Sequence, residues 1–227
     1  MATKKKPKKT EARATLAKNL DRTRALQRIF EAGSLKPQPG DKRGGGQPSG
    51  EERELLRAVV VFAIGALDSY LSDVAAETLV AQLEKSAIPS ESARALLRRM
   101  MKEVDTLALE LALTTDPTQR RAVAREAISD HLSNKVSNHG PKGIAETMSR
   151  LGTEANLSKI DMTPFAPLQT TERKSAPDVL QYWTDRRHAL VHQGVAIKVN
   201  MEQSRALIDF VEALADHVES QALASMA

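Results

Sequence analysis

The stretch from Ser49 to about Lys85 constrains the fold more than any other. Ser49 and Glu52 stand in a Ser-x-x-Glu capping arrangement. Behind them "RAVVVFAIGALDSYLSDVAAETL", Arg57 to Leu79, carries more apolar side chains than a surface helix can hide on one face. A long helix of this kind has to be surrounded by other elements, so the segment predicts the central helix of a bundle. Its longest apolar run, Ala58 to Leu67, is closed by Asp68 and reaches about half the length of a bilayer-spanning helix. No transmembrane helix is expected.

The remaining composition agrees with an all-α fold. Among 227 residues only seven are aromatic, which leaves Leu, Ala, Val and Ile to fill the core and favours helices over alternating strands. The length suits one domain with an appended segment. Cysteine is absent, which removes disulfides, thiolate catalysis and Cys-based zinc sites and is compatible with a cytoplasmic location.

Charge divides the chain. Residues 1–50 hold 13 Lys/Arg against 4 Asp/Glu, a balance of +9, whereas residues 51–227 hold 20 against 25, a balance of −5. The tip "MATKKKPKKTEARA" has no apolar segment behind it and is not expected to be a secretory signal. Residues 1–50 are expected to form a basic, partly disordered extension, and residues 51–227 the helical domain. Such an arm solubilises a chain, and it can add nonspecific affinity for a phosphate backbone.

Within the extension, Thr10 to Ala32 reads as a helix with Leu16, Leu20, Leu26, Ile29 and Phe30 as its apolar positions, closed by Gly33. "GSLKPQPGDKRGGGQPSG" then supplies six of the eleven glycines and three of the ten prolines, as a flexible linker or long loop would. Past the central helix, "IPSESA" breaks the chain and a second domain helix runs to about Leu113. Asp116 and Pro117 open a third, to about Lys135. A short helix covers about Lys142 to Leu151, ending at Gly152. Residues 153–175, with Pro164 and Pro167, form an irregular connection. Pro177 begins a helix ended by Gly194, and Asn200 with Gln203 caps the last helix.

The chemistry-bearing feature is "DRRHALVHQG", Asp185 to Gly194. An arginine followed after four to six residues by a histidine is a commonplace spacing: 18 arginines and 5 histidines placed at random give about one such pair. The chain holds three, Arg125–His131, Arg186–His192 and Arg187–His192, and the first is expected at the surface. Helical phase discriminates better. Leu180, Trp183, Arg187, Leu190 and Val191 follow one face, which turns Arg187 inward, where a guanidinium needs a partner or a ligand. Asp68 shares a face with Arg57, Val61, Ile64 and Leu71, so an ion pair of Asp68 with Arg187 or Arg57 is expected. Arg186, on a less apolar face, reads as a solvated neighbour. Tyr70 and Trp183 read as core.

These side chains suit phosphodiester chemistry. A histidine titrates near neutral pH and can exchange protons with a ribose 2′-hydroxyl or a leaving oxygen. An arginine matches the charge on a pentacoordinate phosphate. No phosphate-binding loop, His-Glu-x-x-His or Gly-x-Ser-x-Gly motif is present, so the groups point to metal-independent RNA cleavage. No cofactor-binding or metal-ligating residue is predicted. One geometric difficulty remains, since positions five apart lie about 140° apart around a helix. Arg187 and His192 converge only if His192 leaves the helix or if two subunits meet.

"RHALVHQG", Arg187 to Gly194, resembles the signature of the HEPN superfamily: arginine, a polar residue, three mostly apolar residues, histidine and a glycine turn into the last helix. The helix Arg57–Leu79 and the segment "HLSNKVSNHGPKGIAETMSRLG" resemble the RiboL-PSP branch. The resemblance covers about residues 51–220. It implies a helical bundle that pairs as a homodimer and brings two copies of the motif to one cleft. It also implies a metal-independent endoribonuclease of toxin–antitoxin or anti-phage type, leaving 2′,3′-cyclic phosphate and 5′-hydroxyl ends, with RNA as substrate and an antitoxin or other defence protein as partner. Arg187 would stabilise the scissile phosphate and His192 would transfer protons. His188 stands where the family more often has Asn or Asp, and would contact substrate or support His192 from one turn away. Asp68 and Arg186 are the supporting candidates. The alternative is a non-catalytic HEPN module that binds a partner protein or nucleic acid.

Overall fold

The computed structural model describes residues 10–32, 50–84, 91–103, 110, 111, 113–135 and 140–225. Among them are seven α-helices and no strand: α1 (Glu11–Glu31), α2 (Gly50–Glu84), α3 (Glu91–Glu103), α4 (Pro117–Lys135), α5 (Pro141–Arg150), α6 (Ala176–His192) and α7 (Met201–Ala224). The all-α bundle is as the composition predicts. The Ser49 cap, the linker, and residues 104–109 and 112 of the second domain helix expected to run to about Leu113 lie outside the described residues.

The central position of α2 follows from its sequence. Val59, Val60, Ile64, Leu67, Leu71, Val74 and Leu79 are buried, and α1, α4, α5, α6 and α7 all pack against it. The stretch Arg53–Glu84 is long and apolar enough, by length and composition, to cross a bilayer. Counting only the uninterrupted run missed this, because isolated charges such as Asp68 and Asp73 break the run without lowering its mean hydropathy much. In the bundle the greater part of its apolar residues is buried against other helices, and Phe62 is left exposed.

The core does not begin at residue 51. Ala12, Leu16 and Leu20 of α1 lie in the same apolar cluster as α2 and α7, so α1 is built into the bundle. Two carboxylates hold its start: Glu219 of α7 accepts from the Thr10 amide (3.0 Å) and hydroxyl (2.6 Å), and Glu77 of α2 accepts from the Ala12 amide at 2.8 Å. Burial pushes the Glu77 carboxyl above its ordinary value, and the Ala12 amide and Arg125 offset only part of that. Along the seam Arg13 pairs with Asp216 (2.8 Å), Arg24 with Glu212 (2.5 Å) and Arg205 with Glu31. Residue numbers rise on α1 as they fall on α7, so the two helices run antiparallel.

Local signals at the helix ends are as the sequence predicts. Thr10 caps α1 by accepting from Arg13, Ser175 caps α6 by accepting from Asp178, and Asn200 with Gln203 forms a reciprocal capping box on α7. Tyr70 is buried and donates to the Ala215 carbonyl at 3.0 Å, and Trp183 is buried. His131 is not at the surface: it is buried on the inner side of α4, while Arg125 pairs with Glu11 and lies 3.6 Å from Glu77. The spacing of Arg125 and His131 puts them on different faces of one helix.

Candidate active site

Helix α6 carries the whole motif. Ser175 caps it, Pro177 occupies its first turn, and Val179, Leu180, Trp183 and Thr184 face the core. That inner face leaves Gln181, Asp185, His188 and His192 on the outer one, all exposed. His188 and His192 are one turn apart, with ring centroids 4.7 Å from each other and planes tilted by 45°.

His192 is the last residue of α6. Gly194 then takes φ 63°, and the amides of Gln193 and Val195 both donate to the Ala189 carbonyl at 3.2 Å. His192 therefore stays helical, and the first route by which it could meet Arg187 within one chain is closed. The two remain about 140° apart around α6.

Arg187 follows the inward phase: it is half-buried and its Nε is buried with no hydrogen-bond partner. The ion pair expected with Asp68 is not formed, and Arg187 has no carboxylate partner among the described residues. Arg57 does not pair with Asp68 either. It pairs with Glu54, one turn before it on α2, and its Nε donates to the Ile197 carbonyl at 3.0 Å. Asp68 is half-buried on α2 and has interactions of its own. Sharing a helix phase placed Asp68 and Arg57 on one side of α2, but the close neighbour of Arg57 proved to be the connection that follows His192.

Arg186 is not a solvated neighbour. Its guanidinium donates to the Tyr182 hydroxyl and, at 2.7 Å, to the Lys198 carbonyl, and it lies 4.8 Å from the Tyr182 ring centroid. Arg57 from α2 and Arg186 from α6 thus fix the connection 193–200 from two sides, with Ile197 buried beneath them. This bracing role has no sequence signal, because it depends on two carbonyl acceptors that every residue type carries.

Val191, expected on the inner stripe, is 45% exposed, because the bundle ends beside the last turn of α6. Val195 is exposed as well, and on α2 Phe62 is 57% exposed. Ala58, Val61 and Gly65 share the outer side of α2 with Phe62. Among the described residues no three His, Asp or Glu side chains gather in a metal-holding group. A groove of about 270 Å³ lies between α1 and α7, lined by Arg24, Gln27, Glu31, Arg205 and Asp209 and by no residue of α6.

Chemically, α6 presents two imidazoles able to exchange protons and a guanidinium with no carboxylate partner, next to a glycine turn. The family model described as RiboL-PSP-HEPN matches residues 19–224. No curated protein and no solved structure matches the chain.

Proposed function

The chain belongs to the RiboL-PSP-HEPN family, and from that premise we propose that it is a metal-independent endoribonuclease of toxin or anti-phage defence type. Membership sets it among nuclease, RNA-related or binding modules. The observation that carries the finer reading is the composition of the last turns of α6: exposed His188 and His192 beside an arginine with no carboxylate partner.

In the proposed reaction His192 takes the proton of a ribose 2′-hydroxyl as the 2′-oxygen bonds to phosphorus. Arg187 holds the phosphoryl oxygens while charge builds on them. The bond from phosphorus to the 5′-oxygen breaks, and a histidine returns a proton to that oxygen, leaving a 2′,3′-cyclic phosphate and a 5′-hydroxyl. His188, its ring tilted against that of His192 from one turn away, fixes that ring or exchanges the second proton. Asp68 has no place in these steps, and Arg186 acts only by holding the connection behind the histidine.

The same reading makes the active unit a homodimer, acting in the cytoplasm on RNA and controlled by an antitoxin or another defence protein. Support comes from the 140° between Arg187 and His192, which one chain cannot close, and from the exposed apolar side of α2 around Phe62. The 140° separation also favours a second reading: a chain that does not pair would display the two groups without joining them and serve as a binding module. Incubation of pure protein with RNA in chelator separates the two. Cleavage with cyclic-phosphate ends, lost in His192→Ala, is expected; binding without any shortened product would establish the binding module instead.

A further inference from the structure

Tyr182 lies on the flank of α6, ten residues before His192, and its ring is the seat of a guanidinium from outside the helix. The Arg173 Cζ stands 3.4 Å from the ring centroid, in the connection that leads into α6. Arg173 Nε donates to the Thr170 hydroxyl at 3.2 Å, and its backbone closes a turn with Thr170. Arg186 approaches the same ring and bonds its hydroxyl. The stack removes most of the rotamer freedom that an arginine would otherwise lose on gripping a ligand.

The guanidiniums around this stack are not ion-paired. Among the described residues no carboxylate pairs with Arg173, Arg186 or Arg187; Glu172 and Lys174 flank Arg173 in sequence, and the Lys198 carbonyl accepts from Arg186. The carboxylates of α6 accept from uncharged groups, Asp178 from Ser175 and Asp185 from Gln181, so they keep their charge without pairing a guanidinium. On the α1–α7 seam, by contrast, Arg13, Arg24 and Arg205 each have an acidic partner.

Around the helix Tyr182 is about 80° from His192, on the side away from Arg187, and along its axis the two are about 15 Å apart. That distance corresponds to roughly two to four phosphates of a single strand. We propose that Arg173, seated on Tyr182, is a phosphate-binding subsite for single-stranded RNA, gripping the backbone a few nucleotides from the bond cut at His192. This rests on the nuclease reading for its substrate, and on the stack alone for its position.

The test uses the full chain and a 12-nucleotide single-stranded RNA carrying 2′-O-methyl groups throughout, which cannot be cleaved by 2′-oxygen attack. Fluorescence anisotropy across a salt series should give a Kd at least tenfold higher for Arg173→Ala than for wild type. The slope of log K against log salt should fall by about 0.7, the release from one phosphate. With cleavable RNA of the same length, KM should rise while kcat holds. Arg173→Gln, which keeps a donor for Thr170 and loses the charge, should match the alanine variant and guards against loss of the turn. Wild-type affinity and slope in a folded Arg173→Gln would overturn the subsite while leaving cleavage untouched. A wild-type protein that binds the RNA without cutting its cleavable counterpart would defeat the nuclease reading and leave the subsite to be judged by the slope. No binding by wild type would overturn the subsite.

Discussion

His192 and Arg187 sit in opposite environments on one helix, and their substitutions should separate accordingly. His192 is exposed at the end of α6, so His192→Ala should leave the unfolding midpoint in urea within about 0.5 kcal/mol of wild type. Its cleavage rate should fall by roughly 10² to 10⁴, the usual contribution of a positioned acid or base. Arg187→Ala is the more telling variant. Breaking a buried ion pair costs about 3–5 kcal/mol, but Arg187 holds no carboxylate, so its removal should cost roughly 1 kcal/mol while abolishing cleavage. A loss of several kcal/mol in the same urea titration would mean that Arg187 is a structural residue. The inward phase of Arg187 was legible in the sequence because it follows from a period of 3.6. Its lack of a partner was not, since that depends on which atoms α2 brings near, and periodicity fixes a face without fixing a neighbour. Arg186 was misread for the same reason, its acceptors being a tyrosine hydroxyl and a backbone carbonyl.

At the scale of elements, the turn after α6 and the start of α1 show what local signals carry. Gly194 holds φ 63°, and a Cβ added there would have nothing within 4 Å, so Gly194→Ala meets no clash and only the left-handed backbone cost, roughly 1–2 kcal/mol. Thermal unfolding checks this; an unchanged midpoint would mean that the turn relaxes to another conformation. The ends of α1, α6 and α7 were legible because a cap is set by residues three apart. The groups that hold the start of α1 come from α2 and α7, 65 and 209 residues away, and no window on the sequence reaches them. One of them yields a pH prediction. Burial raises the folded-state value of Glu77, so the native chain keeps a proton that the unfolded chain releases. Its contribution to stability is then full below the ordinary carboxylate range and is lost as pH rises through the folded value. Relative to Glu77→Gln, wild type should lose stability as pH rises above the ordinary carboxylate value, measured by urea unfolding at each pH. A difference that stays flat or grows would remove Glu77 from the buried carboxylates.

Over the whole molecule, the sequence revealed the all-α class and the central helix, because a helix as apolar as α2 packs most of its surface against other helices. It did not reveal that α1 belongs to that cover. The basic tip and the Gly/Pro-rich stretch on either side of α1 gave it the look of an arm, whereas Leu16 and Leu20 are among the most buried of the described residues. The candidate site poses the opposite problem, for its residues were legible and their convergence was not. Arg187 and His192 diverge by about 140°, and no helix bend or early exit in α6 brings them together. If two copies pair about a two-fold axis, each cleft half joins Arg187 of one protomer to His192 of its partner. Arg187→Ala and His192→Ala proteins, each inactive alone, should then regain activity when mixed and allowed to exchange. Half the dimers would be mixed and each would retain one of two pairs, so recovery should approach about a quarter of wild type. Phe62→Glu, placed on the exposed side of α2, should give monomers in sedimentation and lose cleavage along with pairing. Mixed variants that stay inactive while sedimenting as mixed dimers would show that each site is made within one chain, and would send the search for the missing geometry back to α6.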